Sequence, residues 1–292
     1  MGTVIKTTNL TKIYDKNEVL SKLNLTLDEG QVLGYLGPNG AGKTTTIKLL
    51  LGLIRPSSGN ASIFGHDCQT EKLTVHASLA YVPSEPAFWP NLTGRETLYM
   101  LSKLRSGYDE EYEKKLIKQL NFDPDKKIRQ YSRGNRQKIG LISAFATKAK
   151  LLILDEPSTG LDPLMDQVFR QNIVQAKNNG QTIFLSSHLL EEVESLCDQI
   201  AILKDGKLVE SGSLSQLKHL AAVTVEATFE GKVPDVKKID GVTNVKIDGH
   251  KLTCQINGSG NELIAALVKE KPKQLYVRPA SLEDLFLSVY GT

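Results

Sequence analysis

Gly37-Pro38-Asn39-Gly40-Ala41-Gly42-Lys43-Thr44 fits the pattern GxxxxGK[ST] without a gap. That spacing suits a polyphosphate. Glycines let successive backbone N–H groups converge on phosphate oxygens with no Cβ in the way. The dipole of a following helix adds only about 0.3–1 kcal/mol at an exposed terminus. The Lys43 ammonium and a Mg²⁺ held by the Thr44 hydroxyl must therefore supply most of the charge compensation. Thr45 is placed to reach the α-phosphate. A predicted strand, Gln31 to Leu36, precedes the loop and a predicted helix, Lys43 to Leu53, follows it. This context separates a phosphate loop from a glycine-rich turn with a chance lysine.

Two more clusters suit phosphoryl chemistry. Leu151-Leu152-Ile153-Leu154-Asp155-Glu156 is an aliphatic strand that ends in two carboxylates. Carboxylates at the C-terminal edge of a parallel sheet lie where such folds bind ligands. Asp155 suits Mg²⁺, and Glu156 suits polarising the water that attacks the γ-phosphate. Clamping a metal and orienting a nucleophile are separate tasks and need separate groups. Taken alone, the pair would read as a solvated turn before Pro157; behind a phosphate loop it reads as catalytic. His188 follows the apolar strand Thr182 to Ser187, which makes it a candidate for contacting the γ-phosphate.

The elements that must hold these groups alternate between β and α periodicity. Val4 to Thr8 reads as a strand, and Leu23 to Leu27 alternates as a half-buried strand. Thr93 and Glu96 have the spacing of a capping box. Leu98, Leu101 and Leu104 follow at helical spacing, and Leu116, Ile117 and Leu120 form a second stripe, so residues 93–145 read as a helical insertion. A charged helix follows from Leu189. The alternation predicts a mainly parallel sheet covered by helices. A boundary is expected near Leu220, dividing the chain into domains 1–220 and 221–292. In the tail, Val223 to Phe229, Val242 to Ile247, Leu252 to Ile256 and Leu275 to Val277 read as strands. Ile264 to Val268 reads as helix, and Ser281 with Asp284 forms a capping pattern for a last one. The tail is thus a small α+β appendage.

Composition sets the outer limits. The chain has 292 residues, 40 % of them hydrophobic and 24 % charged, with a net charge of +3. These values exclude disordered and collagen-like chains. The small positive excess gives no ground for nucleic-acid binding. Cys68, Cys197 and Cys254 are scattered and form no CxxC pair, so neither a zinc site nor a disulfide framework is indicated. No apolar run reaches the eighteen or so residues of a membrane span.

Between the phosphate loop and the acidic strand lies Tyr131-Ser132-Arg133-Gly134-Asn135-Arg136-Gln137. It resembles the LSGGQ signature of ATP-binding cassette (ABC) ATPases. The order of motifs is similar to that family over residues 3–220: Gly37 to Thr45, Ser132 to Gln137, Asp155–Glu156, Ser158-Thr159-Gly160-Leu161-Asp162, then His188. The resemblance implies a P-loop NTPase core of mainly parallel sheet plus an antiparallel N-terminal β part, with a helical signature subdomain. It also implies ATP with Mg²⁺ as ligands, Tyr14 stacked on adenine, and catalysis by Glu156, His188 and Lys43. Ser132 and Gly134 would touch the γ-phosphate bound to a second, identical subunit, and Asp162 would lie in the segment joining the two sites. The expected partner is an integral membrane permease that places the chain on the cytoplasmic face of the membrane.

Two segments depart from the family pattern. Arg133 and Asn135 replace the usual residues of the signature. In Tyr81-Val82-Pro83-Ser84-Glu85, Ser84 stands where the family usually has a glutamine, and its side chain is too short to reach Mg²⁺ directly; water or Glu85 would have to help. Trp89 reads either as the rim of a groove for a permease helix or as a core aromatic. Ala280 to Leu287 looks like the C-terminal segment of subunits that serve drug and antibiotic exporters. The alternative is a soluble ATPase of the same family acting in cytosolic assembly or translation. A kinase using the same phosphate loop would leave the signature segment and His188 without a role.

Overall fold

A computed structural model of the chain describes residues 2–104, 107–220 and 223–278, with 282, 283, 286 and 290. It divides into two compact units, Met1–Gly212 and Ser213–Thr292.

The first unit begins with β1 (Thr3–Tyr14), which pairs antiparallel with β2 (Asn17–Leu23) and β3 (Thr26–Asp28). The single strand expected over Leu23 to Leu27 is therefore two. The ladder breaks between them, and side chains replace it: Leu25 N donates to Thr7 Oγ1 at 2.8 Å and Asn9 N to Asn24 Oδ1 at 2.9 Å. Leu23, Leu25 and Leu27 all stay buried across the break, so the period-two pattern does not register it. Next come β4 (Val32–Leu36) and α1 (Lys43–Leu50). The helix stops short of Leu53 because the chain closes back on it, with Leu53 N donating to Lys48 O at 2.9 Å and Gly52 N to Leu49 O at 3.0 Å. Then β5 (Ser58–Ile63) pairs with β1 and with β6 (His66–Asp67), completing an antiparallel sheet.

After α2 (Lys72–Ser78) and β7 (Leu79–Val82), the helical insertion consists of α3 (Gly94–Lys103), α4 (Glu110–Gln119) and α5 (Arg133–Ala146). The expected capping box is complete: Glu96 N donates to Thr93 Oγ1 at 3.2 Å and Thr93 N to Glu96 Oε2 at 2.7 Å. The chain continues through β8 (Leu151–Asp155), α6 (Pro163–Asn178), β9 (Thr182–Ser187), α7 (Leu190–Leu196), β10 (Gln199–Lys204) and β11 (Lys207–Ser213). The second sheet runs β11-β10-β4-β9-β8-β7, and the pairs β10–β4, β4–β9, β9–β8 and β8–β7 are parallel. Strands β4, β8 and β9 are buried along their whole length, as expected of central parallel strands covered on both faces. Helix α1 touches β2 and β5 of one sheet and β8 of the other. It is pinned to β4 by a 3.0 Å hydrogen bond between the Tyr35 and Thr46 hydroxyls, inside a core that includes Ile5, Leu27, Leu33, Ile47 and Leu50.

The second unit holds α8 (Leu214–Leu220), β12 (Val223–Thr228), β13 (Val242–Asp248), β14 (Lys251–Ile256), α9 (Asn261–Lys269) and β15 (Gln274–Arg278). The units meet between Gly212 and Ser213, so α8 belongs to the second rather than the first. Its antiparallel sheet runs β13-β14-β12-β15, and Val225, Ala227, Leu252 and Cys254 form a core with Leu263 and Leu267 of α9. The four strands and the helix expected in the tail are all present. Ser281, Asp284 and Leu285 lie outside the described residues.

Candidate functional site

The sheet order places β4 next to β9, and β9 next to β8. Their C-terminal ends carry the phosphate loop, His188 and the Asp155–Glu156 pair respectively. Three segments far apart in sequence thus open onto one edge of the sheet, the usual ligand edge of such a topology.

Lys43 sits at the first position of α1 and is only 5 % exposed. Its ammonium donates to Gly37 O at 2.6 Å and Pro38 O at 3.2 Å, and lies 3.2 Å from Glu156 Oε1. The first turn of α1 contains no acidic residue. The loop therefore gathers a cation and the backbone N–H groups of a helix N-terminus, both suited to an anion.

Thr44 donates its hydroxyl to Asp155 Oδ2 at 3.0 Å. Ser186, on β9, donates to Asp155 Oδ1 at 2.5 Å. Burial raises the Asp155 carboxyl above the usual carboxylate range, against the opposing hydrogen bonds from Ser186 and Thr44. A buried carboxylate beside a hydroxyl is a pair of hard oxygen donors, the set that Mg²⁺ takes when phosphates and water fill its remaining positions. The residues present fit that ion.

Glu156 is held in a left-handed conformation, φ +47°, which costs a non-glycine residue on the order of 1–3 kcal/mol. Its N–H reaches Ser186 O at 3.0 Å, and its carbonyl accepts from Thr159 N at 3.2 Å, so the turn is held from both sides. The turn aims the carboxylate at both neighbours: Oε1 at Lys43 and Oε2 at His188 Nδ1, 3.3 Å away. A carboxylate between an ammonium and an imidazole can take a proton from water at the place where a terminal phosphate would meet Lys43.

Ser132 and Gly134 are tied elsewhere. Ser132 is the N-cap of α5, its hydroxyl accepting from Asn135 N at 3.3 Å. Gly134 packs on the segment after the acidic pair: a Cβ there would lie 2.3 Å from Gly160 O. Glycine is required at this approach. Gly134→Ala is expected to lower stability by about 1–3 kcal/mol, since the Gly160 carbonyl must move; an unchanged denaturation midpoint would show that the contact gives way freely. Asp162 is the N-cap of α6, accepting from Met165 N at 3.0 Å.

The two departures from the family pattern touch each other. An Arg133 guanidinium nitrogen lies 3.4 Å from Ser84 O and 3.4 Å from Glu85 Oε1. Glu85 is thus engaged by the arginine of the signature, and the segment after β7 is linked to the start of α5. Gln137, fully buried, reaches the same segment through Pro83 O at 3.4 Å. Tyr14 is 43 % exposed at the end of β1, with the Lys12 ammonium 4.7 Å from its ring centre. Trp89 is 60 % exposed and so is not a core aromatic.

Sequence reasoning missed Ser186. It binds the carboxylate of Asp155 and, through Oγ at 3.2 Å, also accepts from Glu156 N. The only signal was its place in a Ser-Ser pair before His188, and only the register of β8 against β9 gives that pair meaning, with Asp155 opposite Ser186.

The sequence profile of the ABC transporter family matches residues 20–159. The bacitracin transport ATP-binding protein BcrA of Bacillus licheniformis is 40 % identical over 224 residues, covering 75 % of this chain and 72 % of its own. The linearmycin resistance ATP-binding protein LnrL of Bacillus subtilis is 29 % identical over 306 residues, covering 99 % of this chain and 98 % of its own. A solved structure titled as an ATP-binding subunit of an ABC transporter is 31 % identical, with a TM-score of 0.69, over 74 % of this chain and 92 % of that one.

Proposed function

From the premise that the chain belongs to the ABC transporter family of ATPases, we propose that it works as two identical subunits on a separate membrane permease and powers export. The observation that carries the reading is the connected set Thr44–Asp155 and Lys43–Glu156–His188 at one sheet edge. Lys43 and the loop amides hold the ATP phosphates, and Tyr14 stacks on adenine. Thr44 and Asp155 hold Mg²⁺, which neutralises charge on the β- and γ-phosphates when bound. Glu156 takes the proton of the attacking water, and His188 orients Glu156 and contacts the γ-phosphate.

The second subunit completes each site. The N-terminus of α5 has no acidic residue in its first turn, and Ser132 is exposed there. Such a terminus accepts an anion. Ser132 and Gly134 of one copy meet the γ-phosphate held by the other, and Asp162 lies between the sites. The contact is two-fold symmetric.

Among the described residues no helix is long and apolar enough to cross a membrane. A cavity of about 880 Å³ in the first unit is lined by Phe64, Leu73, Pro86, Phe88, Leu101 and Leu104, among others. Leu73 is 88 % exposed and Leu104 72 %. Large apolar groups left open in one concave patch mark an interaction site. A cytoplasmic helix of the permease is the occupant that fits, and it fastens the chain to the cytoplasmic face of the membrane. The transport and resistance named for BcrA and LnrL support an antibiotic-type cargo, with export as the direction.

The test is a pull-down of the tagged chain from detergent-solubilised native membranes. One polytopic protein at equal stoichiometry is expected. Leu104→Glu should reduce its recovery by roughly tenfold or more, the effect of charging an interface anchor. Recovery of soluble proteins alone would instead mark a soluble ATPase of the same family.

A further inference from the structure

Tyr14 ends β1 just before a turn whose residues Asp15 and Lys16 both take positive φ, +43° and +76°. The pairing of β1 with β2 slips on both sides of Lys12, so a regular ladder does not hold this end of the strand. The chain that follows α1 holds it instead. Ser57 N donates to Thr11 O at 2.8 Å, Ile13 N donates to Ser57 Oγ at 2.9 Å, and Lys12 Nζ donates to Arg55 O at 2.8 Å. Three successive residues of β1 are thus fastened to the segment that leaves the helix of the phosphate loop.

Lys12 also makes a second contact. Residues two apart on a strand share a face. The half-buried Lys12 carries its ammonium over the Tyr14 ring, 4.7 Å from the ring centre. A cation in that place is attracted by the negative face of the ring. The same ammonium is bound to Arg55 O, so its position is set by the backbone and not by the ring alone.

An aromatic ring has two faces. Lys12 covers one of them, and the 43 % exposure of Tyr14 leaves room at the other. A side chain that must stop moving when a ligand arrives lowers affinity, and one that is already held lowers it less. We propose that Lys12 is a positioning residue for the nucleotide base: bound to Arg55 O and seated on the Tyr14 ring, it holds that ring with one face open for adenine. This rests on the reading of Tyr14 as the residue that stacks on the base.

The test is calorimetric titration of the purified full chain with ATP and with inorganic tripolyphosphate, which carries the phosphates and no base. Methionine at position 12 keeps an apolar stem of similar length and removes the cation. Lys12→Met is expected to weaken ATP binding about two- to fivefold, the worth of an exposed cation–π contact. Tripolyphosphate binding, and kcat at saturating ATP, should not change. Lys12→Arg keeps the charge and the donor and should bind ATP as wild type does. In a Tyr14→Ala background, Lys12→Met should cost nothing further, since the ring through which it acts is gone. ATP affinity in Lys12→Met equal to or above wild type would overturn the proposal. So would an equal loss toward tripolyphosphate, a further loss in the Tyr14→Ala background, or the same loss in Lys12→Arg. Wild-type ATP affinity in Tyr14→Ala alone would instead remove the adenine reading, and the proposal with it.

Discussion

Glu156→Gln is expected to leave ATP binding intact and to lower hydrolysis by about 10²–10⁴-fold, the usual worth of a general base. The amide has the shape of the carboxylate, and its oxygen can still face either Lys43, at 3.2 Å, or His188, at 3.3 Å. The backbone is unaffected, because the left-handed turn is held by Ser186 O and Thr159 N rather than by the side chain. What is lost is the ability to accept a proton. Water next to the γ-phosphate is then a poor nucleophile, and the bound triphosphate accumulates. Phosphate release under saturating ATP, paired with retention of ATP by the variant, checks both halves. Turnover at the wild-type rate would remove Glu156 from the mechanism. Loss of binding and turnover together would make it a structural partner of Lys43 only.

Lys43→Ala should act one step earlier. The ammonium is 5 % exposed and makes two hydrogen bonds to loop carbonyls and one ion pair to Glu156. Bonds from such a group to phosphate are charge-assisted, worth about 1.5–3 kcal/mol each. Losing one of them weakens ATP binding by roughly 10- to 100-fold. A second effect adds to the first. Glu156 adjoins Asp155, which burial already makes reluctant to ionise, and Lys43 is the cation beside both. Without it the two carboxylates keep only the His188 imidazole and the Thr44 and Ser186 hydroxyls as partners, and the site holds phosphates less well. Calorimetric titration with ATP is the direct check, and wild-type affinity would mean that the loop amides suffice.

The candidate site of this chain was legible because it is written in short spacings. Gly37 to Thr44 needs only local geometry to converge on a phosphate, and an aliphatic strand ending in Asp155 and Glu156 announces its own orientation. Capping signals worked for the same reason, as Thr93 with Glu96 illustrates. Less was legible where pairing partners lie far away. The break between β2 and β3 escaped notice because burial alternates through it while Asn24 and Thr7 take over the hydrogen bonds. The contact between Arg133 and the Ser84–Glu85 segment spans the fold and follows from no local rule. Glu192 reads as one more charge on a charged helix, and only packing buries it.

The sequence by itself determined the types of group gathered at the proposed phosphate site, their order, and the alternation that forces a parallel sheet. Spacing and periodicity are local quantities, and a chain carries them in any conformation. The tertiary structure alone decided that β4, β9 and β8 stand side by side. That order brings Lys43, Glu156 and His188 within ion-pair distance and sets Ser186 against Asp155. Strand order is chosen by how covering helices and apolar faces pack, a balance summed over the whole molecule that no segment holds.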